Sequence, residues 1–177
     1  MRLCFLISLV LFSCSNDPEV VKEFIASNGL PVERLKEAEI MHTEMGFLKV
    51  KIISSTIERY QNKQPQLIFS NGIKVIFYND TAAVQSILEA ENAKIDDQKK
   101  IMTASNNVIL TSYDGKRLET EQLIWDEKGN KIYTDKKVVI TTGKEVVEGQ
   151  GFVSNPDFTE YSISRIHGTV DFETSIE

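Results

Sequence analysis

Leu118-Glu119-Thr120-Glu121-Gln122-Leu123-Ile124-Trp125 ends at Asp126-Glu127-Lys128-Gly129-Asn130, and Lys131-Ile132-Tyr133-Thr134 follows at once. Two β-rich runs joined by a short cluster of turn residues read as an antiparallel hairpin, because Gly-Asn tolerates the positive φ of tight turns. The pattern continues downstream. Asp135-Lys136 reads as another turn, leading into Lys137-Val138-Val139-Ile140-Thr141. Gly143-Lys144 leads into a strand over 145–153, and a last strand runs from Tyr161 to Phe172.

The same pattern extends upstream. Val108-Ile109-Leu110-Thr111 ends at Tyr113-Asp114-Gly115-Lys116. Lys49-Val50-Lys51-Ile52-Ile53 is one run. Gln66-Leu67-Ile68-Phe69 is another, with a turn at Ser70-Asn71-Gly72 before Ile73-Lys74-Val75-Ile76-Phe77-Tyr78. Residues 83–95 carry a helix-compatible spacing of Val84, Ile87 and Leu88, but they sit inside a strand series and read as strand. Parallel crossovers need a dozen or more connecting residues. Links this short therefore predict an all-β, near-continuous antiparallel meander from about Lys36, of the sandwich, jellyroll or open-barrel kind.

Several of these strands are apolar on both faces. Leu123 and Trp125 share a face, with Ile124 opposite. Val138 and Ile140 share one, with Val139 opposite. Phe152 groups with Val146, and Val147 with Val153. Apolar residues on both sides call for cover on both sides. Two sheets folded over each other would give it, and so would a concave face that holds an apolar ligand. Gly149 and Gly151 stand two apart on one strand. Such glycines mark a bulge, a bend or the close approach of another backbone, so a structural role is expected of both.

The N-terminus places the chain. Arg2 precedes the apolar run from Leu3 to Phe12, and Ser13-Cys14 follows. A bilayer-spanning helix needs about 20 apolar residues. The run is about half that length, so 1–13 reads as a signal peptide. Leu11-Phe12-Ser13-Cys14 resembles the lipobox of bacterial lipoproteins, with Phe12 bulkier than that pattern usually has. Cys14 is then the lipid anchor. The other cysteine, Cys4, lies inside the signal, so the folded part has no thiol for a disulfide, a zinc site or a nucleophile. Residues 14–35 read as a lipidated tether. It reads either as a flexible leash or as a short helix capped by Asp17, opened by Pro18 and ended by Gly29, with Val20, Val21, Phe24 and Ile25 on one face.

The whole chain has 177 residues, 20 of them basic and 26 acidic. Loss of 1–13 removes only Arg2 and leaves a net charge of −7. An acidic chain is a poor ligand for nucleic acid. His42 and His167 are isolated and lack metal-site spacing, and Gly149-Gln150-Gly151 lacks the third glycine and the helix of a dinucleotide fingerprint. Asp96-Asp97 and the Glu119, Glu121 pair read as solvated faces. No catalytic residue, metal or cofactor is expected, and the chain reads as a non-enzyme.

The ordered series Leu118 to Asp126, Ile132-Tyr133-Thr134, Val138-Val139-Ile140, Gly149-x-Gly151-Phe152, Phe158-x-x-Tyr161-Ser162-Ile163 and Gly168-x-Val170 resembles the LptC family, the periplasmic C component of lipopolysaccharide export. Gly72-Ile73-Lys74-Val75 and Asn107-Val108 fit the same pattern upstream. The resemblance implies a boat-shaped, open antiparallel β-jellyroll over 36–177, with an apolar groove between its sheets. It implies a cargo, lipopolysaccharide, taken from an inner-membrane ABC transporter and its permease components. It also implies delivery to a periplasmic bridge of similar β-jellyrolls, through exposed sheet edges. Leu123, Trp125, Val138, Ile140 and Phe152 are the groove candidates. Better-known members are anchored by a transmembrane helix, where this chain has Cys14, and the inner membrane is the expected site of the anchor. The alternative reading is an interaction lipoprotein with a closed sandwich core.

Overall fold

The computed structural model describes residues 17–27, 29–61, 63–143 and 145–171. A helix, α1 (Pro18–Ser27), is followed by strands β1 (Glu33–Glu44), β2 (Phe47–Arg59), β3 (Leu67–Tyr78), β4 (Val84–Ala90), β5 (Asn92–Asp96), β6 (Ile101–Ser112), β7 (Arg117–Asp126), β8 (Lys131–Thr141), β9 (Glu145–Ser154) and β10 (Tyr161–Asp171). Asp17 caps α1, accepting from the Glu19 N–H at 2.9 Å. Every strand pairing is antiparallel. The order is β1-β2-β3-β4-β6-β7-β8-β9-β10, with β5 between β3 and β6, so among the described residues the sheet is a meander whose first and last strands stay unjoined. This is the all-β, jellyroll-like architecture that the strand pattern calls for.

One sheet becomes two layers because its strands bend in their middles and the bends line up. In β3 the bend is Asn71 (φ 62°) and Gly72 (φ 104°), and in β6 it is Asn106 (φ 66°) and Asn107 (φ 50°). Between them Glu91 separates β4 from β5. The Gly72 N–H donates to the Glu91 carbonyl at 2.9 Å, and the Glu91 N–H to the Asn106 carbonyl at 3.0 Å. The register slips on the same line between Ser54 and Thr56, Thr120 and Ile124, and Thr134 and Lys137. Asn and Gly are the residues that enter positive φ at least cost, and a bulge adds local twist.

The bends divide the sheet into two leaves. One contains Val50, Ile52, Val75, Leu88, Leu110, Leu118, Val138 and Ile140. The other contains Ile57, Phe69, Ala93, Met102, Leu123, Ile132 and Phe152. All of these are buried in a single apolar cluster. Phe77 of the first leaf meets Trp125 of the second edge-to-face, with ring centroids 5.2 Å apart. The leaves are therefore packed face to face.

Three local expectations are corrected. Asn71-Gly72 and Asp135-Lys136 are not hairpin turns; β3 and β8 run through them as single bent strands. The bulge at Gly151 (φ 79°) reverses the face read for Val146. Val147 pairs with inward Ile140, Val146 pairs with outward Thr141, and Phe152 points inward without Val146. Nor do the outer faces carry a second layer. Outward Ile53, Ile76, Ile87, Ile109 and Val139 are half-buried among long charged side chains. These are paired as Lys51–Glu39, Lys74–Glu89, Arg117–Glu119 and Lys137–Glu148. Their aliphatic stems can lie over the apolar surface and leave the charges in water.

Candidate functional site

The five groove candidates come together. Leu123, Val138, Ile140 and Phe152 are fully buried in the shared cluster, and Trp125 packs half-buried against it. Leu123, Trp125 and Phe152 line the Phe69 leaf, and Val138 and Ile140 face them from the Val75 leaf. The space between the leaves is occupied by these buried side chains.

That apolar interior reaches both unjoined edges. On β1, Leu35 lies opposite buried Ile57 and Ile40 opposite buried Ile52, so both face inward; Leu35 is 40% exposed. On β10, Ile163 lies opposite Phe152 and Ile166 opposite Gly149, and Ile166 is 61% exposed. An apolar line thus crosses the strands, from Leu35 and Ile40 through the core to Ile163 and Ile166. Sequence reasoning missed the two ends, because β1 and β10 look polar until register shows which residues face in.

The free ends of the leaves are closed differently at their two sides. Beside β9 and β10, the 155–160 loop folds over both leaves. Its Phe158 is fully buried, edge-to-face with Phe152 at 5.5 Å and with Tyr161 at 5.3 Å. Ser86 Oγ of the Val75 leaf donates to the Pro156 carbonyl at 2.5 Å, and Lys116 Nζ donates to the Phe158 carbonyl at 3.4 Å. Beside β1 to β3, a cavity of about 670 Å³ opens, lined by His42, Lys49, Phe77, Tyr78, Trp125 and Pro156 among others. The Phe77–Trp125 pair forms its apolar floor. Phe77 was not singled out from the sequence, although its period-two spacing could have suggested it; Phe158 lies in a loop with no periodicity and was marked only within the family resemblance.

The interior offers little to chemistry. Among the described residues, the buried polar side chains are Ser54, Ser86, Ser112, Thr120, Thr134 and Ser154, with no ionisable group. Several serve the backbone: Ser54 Oγ donates to the Gly72 carbonyl at 2.9 Å and Thr120 Oγ1 to the Lys137 carbonyl at 2.8 Å. His42 and His167 lie on opposite edge strands, and the described residues hold no cluster of three metal-ligating side chains. The perturbed groups are exterior. The Arg34 guanidinium and the Tyr60 hydroxyl lower the Glu58 pKa, and Glu58 in turn raises that of Tyr60. Glu39 raises Lys51. Backbone N–H donation from Lys99 is the main cause that lowers Asp96.

Gly149 is buried beneath β10: a β-carbon there would lie 2.4 Å from Ile163 Cγ2 and 2.6 Å from the Arg165 carbonyl oxygen. At Gly151 it would lie 2.9 Å from Ser164 Oγ. Cys14 lies outside the described residues, and no helix among those described is long and apolar enough to cross a membrane.

A family model described as lipopolysaccharide-assembly, LptC-related, matches residues 6–164. That is most of the chain, and the chain belongs to this family. No curated protein matches it. Membership brings involvement in lipopolysaccharide transport in the periplasm.

Proposed function

We propose that this LptC-related chain is a non-enzymatic carrier that holds the acyl chains of lipopolysaccharide between its two leaves. It would receive them from the permease components of an inner-membrane ABC transporter and pass them to a periplasmic bridge of similar fold. One observation carries the reading. Leu123, Trp125, Val138, Ile140 and Phe152 face one interior, and that interior runs without an ionisable side chain to apolar residues exposed at both sheet edges.

Carriage needs no active site. Each CH₂ kept from water contributes about 0.8 kcal/mol, so an acyl chain favours the interior strongly. The interior is packed, so the leaves part to admit it and the lipid replaces their mutual contacts. The net gain is then smaller than the gross burial, which lets cargo move on. The unjoined edges offer main-chain groups for strand addition to the next domain. We further assign residues 1–13 as signal peptide, Cys14 as the acylated anchor in the inner membrane, the stretch from Cys14 up to β1 as tether, and the carrier domain from Glu33 onward, a little earlier than the Lys36 expected from the sequence.

The packed interior favours a second reading, a closed sandwich that works only through its surface. Photo-crosslinkers decide between them. Placed at Trp125, Leu35 and Ile166 in cells, they are expected to trap lipopolysaccharide, whereas those at outward Ile109 and Val139 and at Lys128 on the β7–β8 turn are not. Of the five groove candidates Trp125 is the most permissive, because it alone is only half-buried. Equal trapping from inward and outward positions, or none from either, defeats the groove and leaves the closed sandwich.

A further inference from the structure

We propose that the apolar face of α1 lies in the surface layer of the membrane that holds the Cys14 lipid, seating the chain at a second point. This rests on Cys14 being acylated, as proposed above. Val20 is 62% exposed, Val21 42% and Phe24 61%. At 100° per residue they occupy one arc of α1, and Glu19, Lys22 and Glu23 occupy the rest. Glu19 and Lys22 form an ion pair at 3.3 Å on that polar side. A helix of ten residues is marginal in water by itself, since isolated helices shorter than about 12–15 residues rarely hold. It gains by laying its apolar arc on something.

The covalent distance says on what. Asp17 is three residues beyond Cys14, and an extended chain covers at most about 3.6 Å per residue. The start of α1 is therefore within about 11 Å of the Cα atom of the acylated cysteine. Interfacial helices bury their apolar faces about 5–10 Å into the headgroup and acyl boundary, so α1 begins inside the layer it would occupy. At 1.5 Å per residue it is about 15 Å long, half the hydrocarbon thickness, so it lies in the surface and does not span. Its polar side carries two carboxylates, Glu19 and Glu23, against one amine, Lys22, so attraction to anionic headgroups cannot hold it. The contact is apolar, and salt should leave it unchanged.

The seat would orient the carrier. Gly29 (φ 63°) ends α1, and β1 starts at Glu33, six residues after Ser27. Six residues cover at most about 22 Å. The β1 end of the apolar line, with Leu35, is then held close to the membrane that supplies the lipid, and the β10 end is left for the next domain.

The test uses full-length acylated protein in vesicles of phosphatidylethanolamine and phosphatidylglycerol. With the signal removed and Cys14 acylated, a single introduced cysteine is the free thiol. Nitroxides on V20C, V21C, F24C, E19C, K22C and E23C are probed by collision with oxygen, which prefers lipid, and with a water-soluble nickel chelate. The oxygen-to-nickel ratio is expected to be severalfold higher at 20, 21 and 24 than at 19, 22 and 23, and the same in low and high salt. An acyl mass at the N-terminus with all six labels open to nickel overturns the seat and leaves the anchor standing. Labels shielded from both reagents overturn it too, because α1 then packs on protein. Absence of the acyl mass overturns the anchor and, with it, this proposal.

Discussion

A β-carbon at Gly149 has nowhere to go but into β10, and a strand carbonyl cannot yield as a side-chain tip can. Gly149→Ala is therefore expected to push β10 off β9. Overpacking of a filled site typically costs about 1–3 kcal/mol, which in a domain of this size is roughly 2–12 °C of melting temperature. Hydrogen exchange should quicken across 161–168 first. Unchanged melting and unchanged β10 protection in Gly149→Ala would show that the close approach is not there. Gly151 adds backbone strain to crowding, since φ 79° disfavours any residue with a β-carbon. Electrostatics at this scale are exterior. Asp114 accepts from Lys116 Nζ at 2.6 Å and from Ser112 Oγ, which hold its carboxyl at about 2, below the ordinary 3.8. A carboxylate depressed in the folded state contributes stability above its unfolded pKa and loses it as pH falls through the folded one. Asp114→Asn is thus expected to melt below the native protein at pH 7. The gap should close between about pH 4 and 2, and a gap that persists at pH 2 would mean the charge is not its source. Glu58 and Asp96, also lowered, act in the same direction.

Among the elements, what was legible in the sequence was whatever depends on local period. Ile73 to Tyr78 and Val138 to Thr141 are strands as their runs predict, and Val138 and Ile140 share one face, which the structure turns inward. Residues 83–95 satisfied a helical spacing as well, and the strand series around them decided the matter correctly. The fold line was not legible. Asn71-Gly72 and Asp135-Lys136 carry the chemistry of positive φ or register slip, and a hairpin turn asks for the same residues as a bend within a strand. Only the partner strands tell the two apart. For the same reason, the side taken by Val146 was lost at Gly151, where one bulge moves every later residue across the sheet. The site was legible where it lay on alternating strands, as with Leu123, Val138 and Ile140. In the 155–160 loop it was not legible from periodicity, and only the family resemblance marked Phe158. That ring is now the element to test. Phe158→Ala removes a fully buried aromatic that touches Phe152 and Tyr161, and such truncations cost about 3–5 kcal/mol. It should also loosen the cover over the leaves, seen as increased binding of an apolar fluorescent dye, with Phe158→Leu intermediate in both. If Phe158→Ala melts like the native protein, the loop is not a cover.

For the molecule as a whole, the question is why a meander so regular stops short of closing on itself. Open edges are an aggregation hazard that natural sheets usually blunt with charge, proline or cover. β1 is heavily charged, with Glu33, Arg34, Lys36, Glu37 and Glu39. β10 is less guarded, since Arg165 is flanked by Ile163 and Ile166, and Ile166 stands 61% exposed on the inward side. Exposure there gains nothing for an isolated domain. It makes sense if the next domain adds a strand to β10 and continues the apolar line across the junction, so that an acyl chain never meets water in transit. Ile166→Lys separates stability from that role. An exposed edge position tolerates substitution within about 0.5 kcal/mol, so melting should stay within about 2 °C of the native value. Strand addition, however, would bury the new ammonium in the seam, at a cost no apolar contact offsets. Ile166→Lys is therefore expected to keep its fold and its lipid crosslink at Trp125, yet lose co-purification with the bridge protein and stop lipopolysaccharide at this step. Normal co-purification with normal export would show that β10 is not the exit. Loss of the Trp125 crosslink as well would show that the lipid enters from the β10 side, reversing the direction argued from α1.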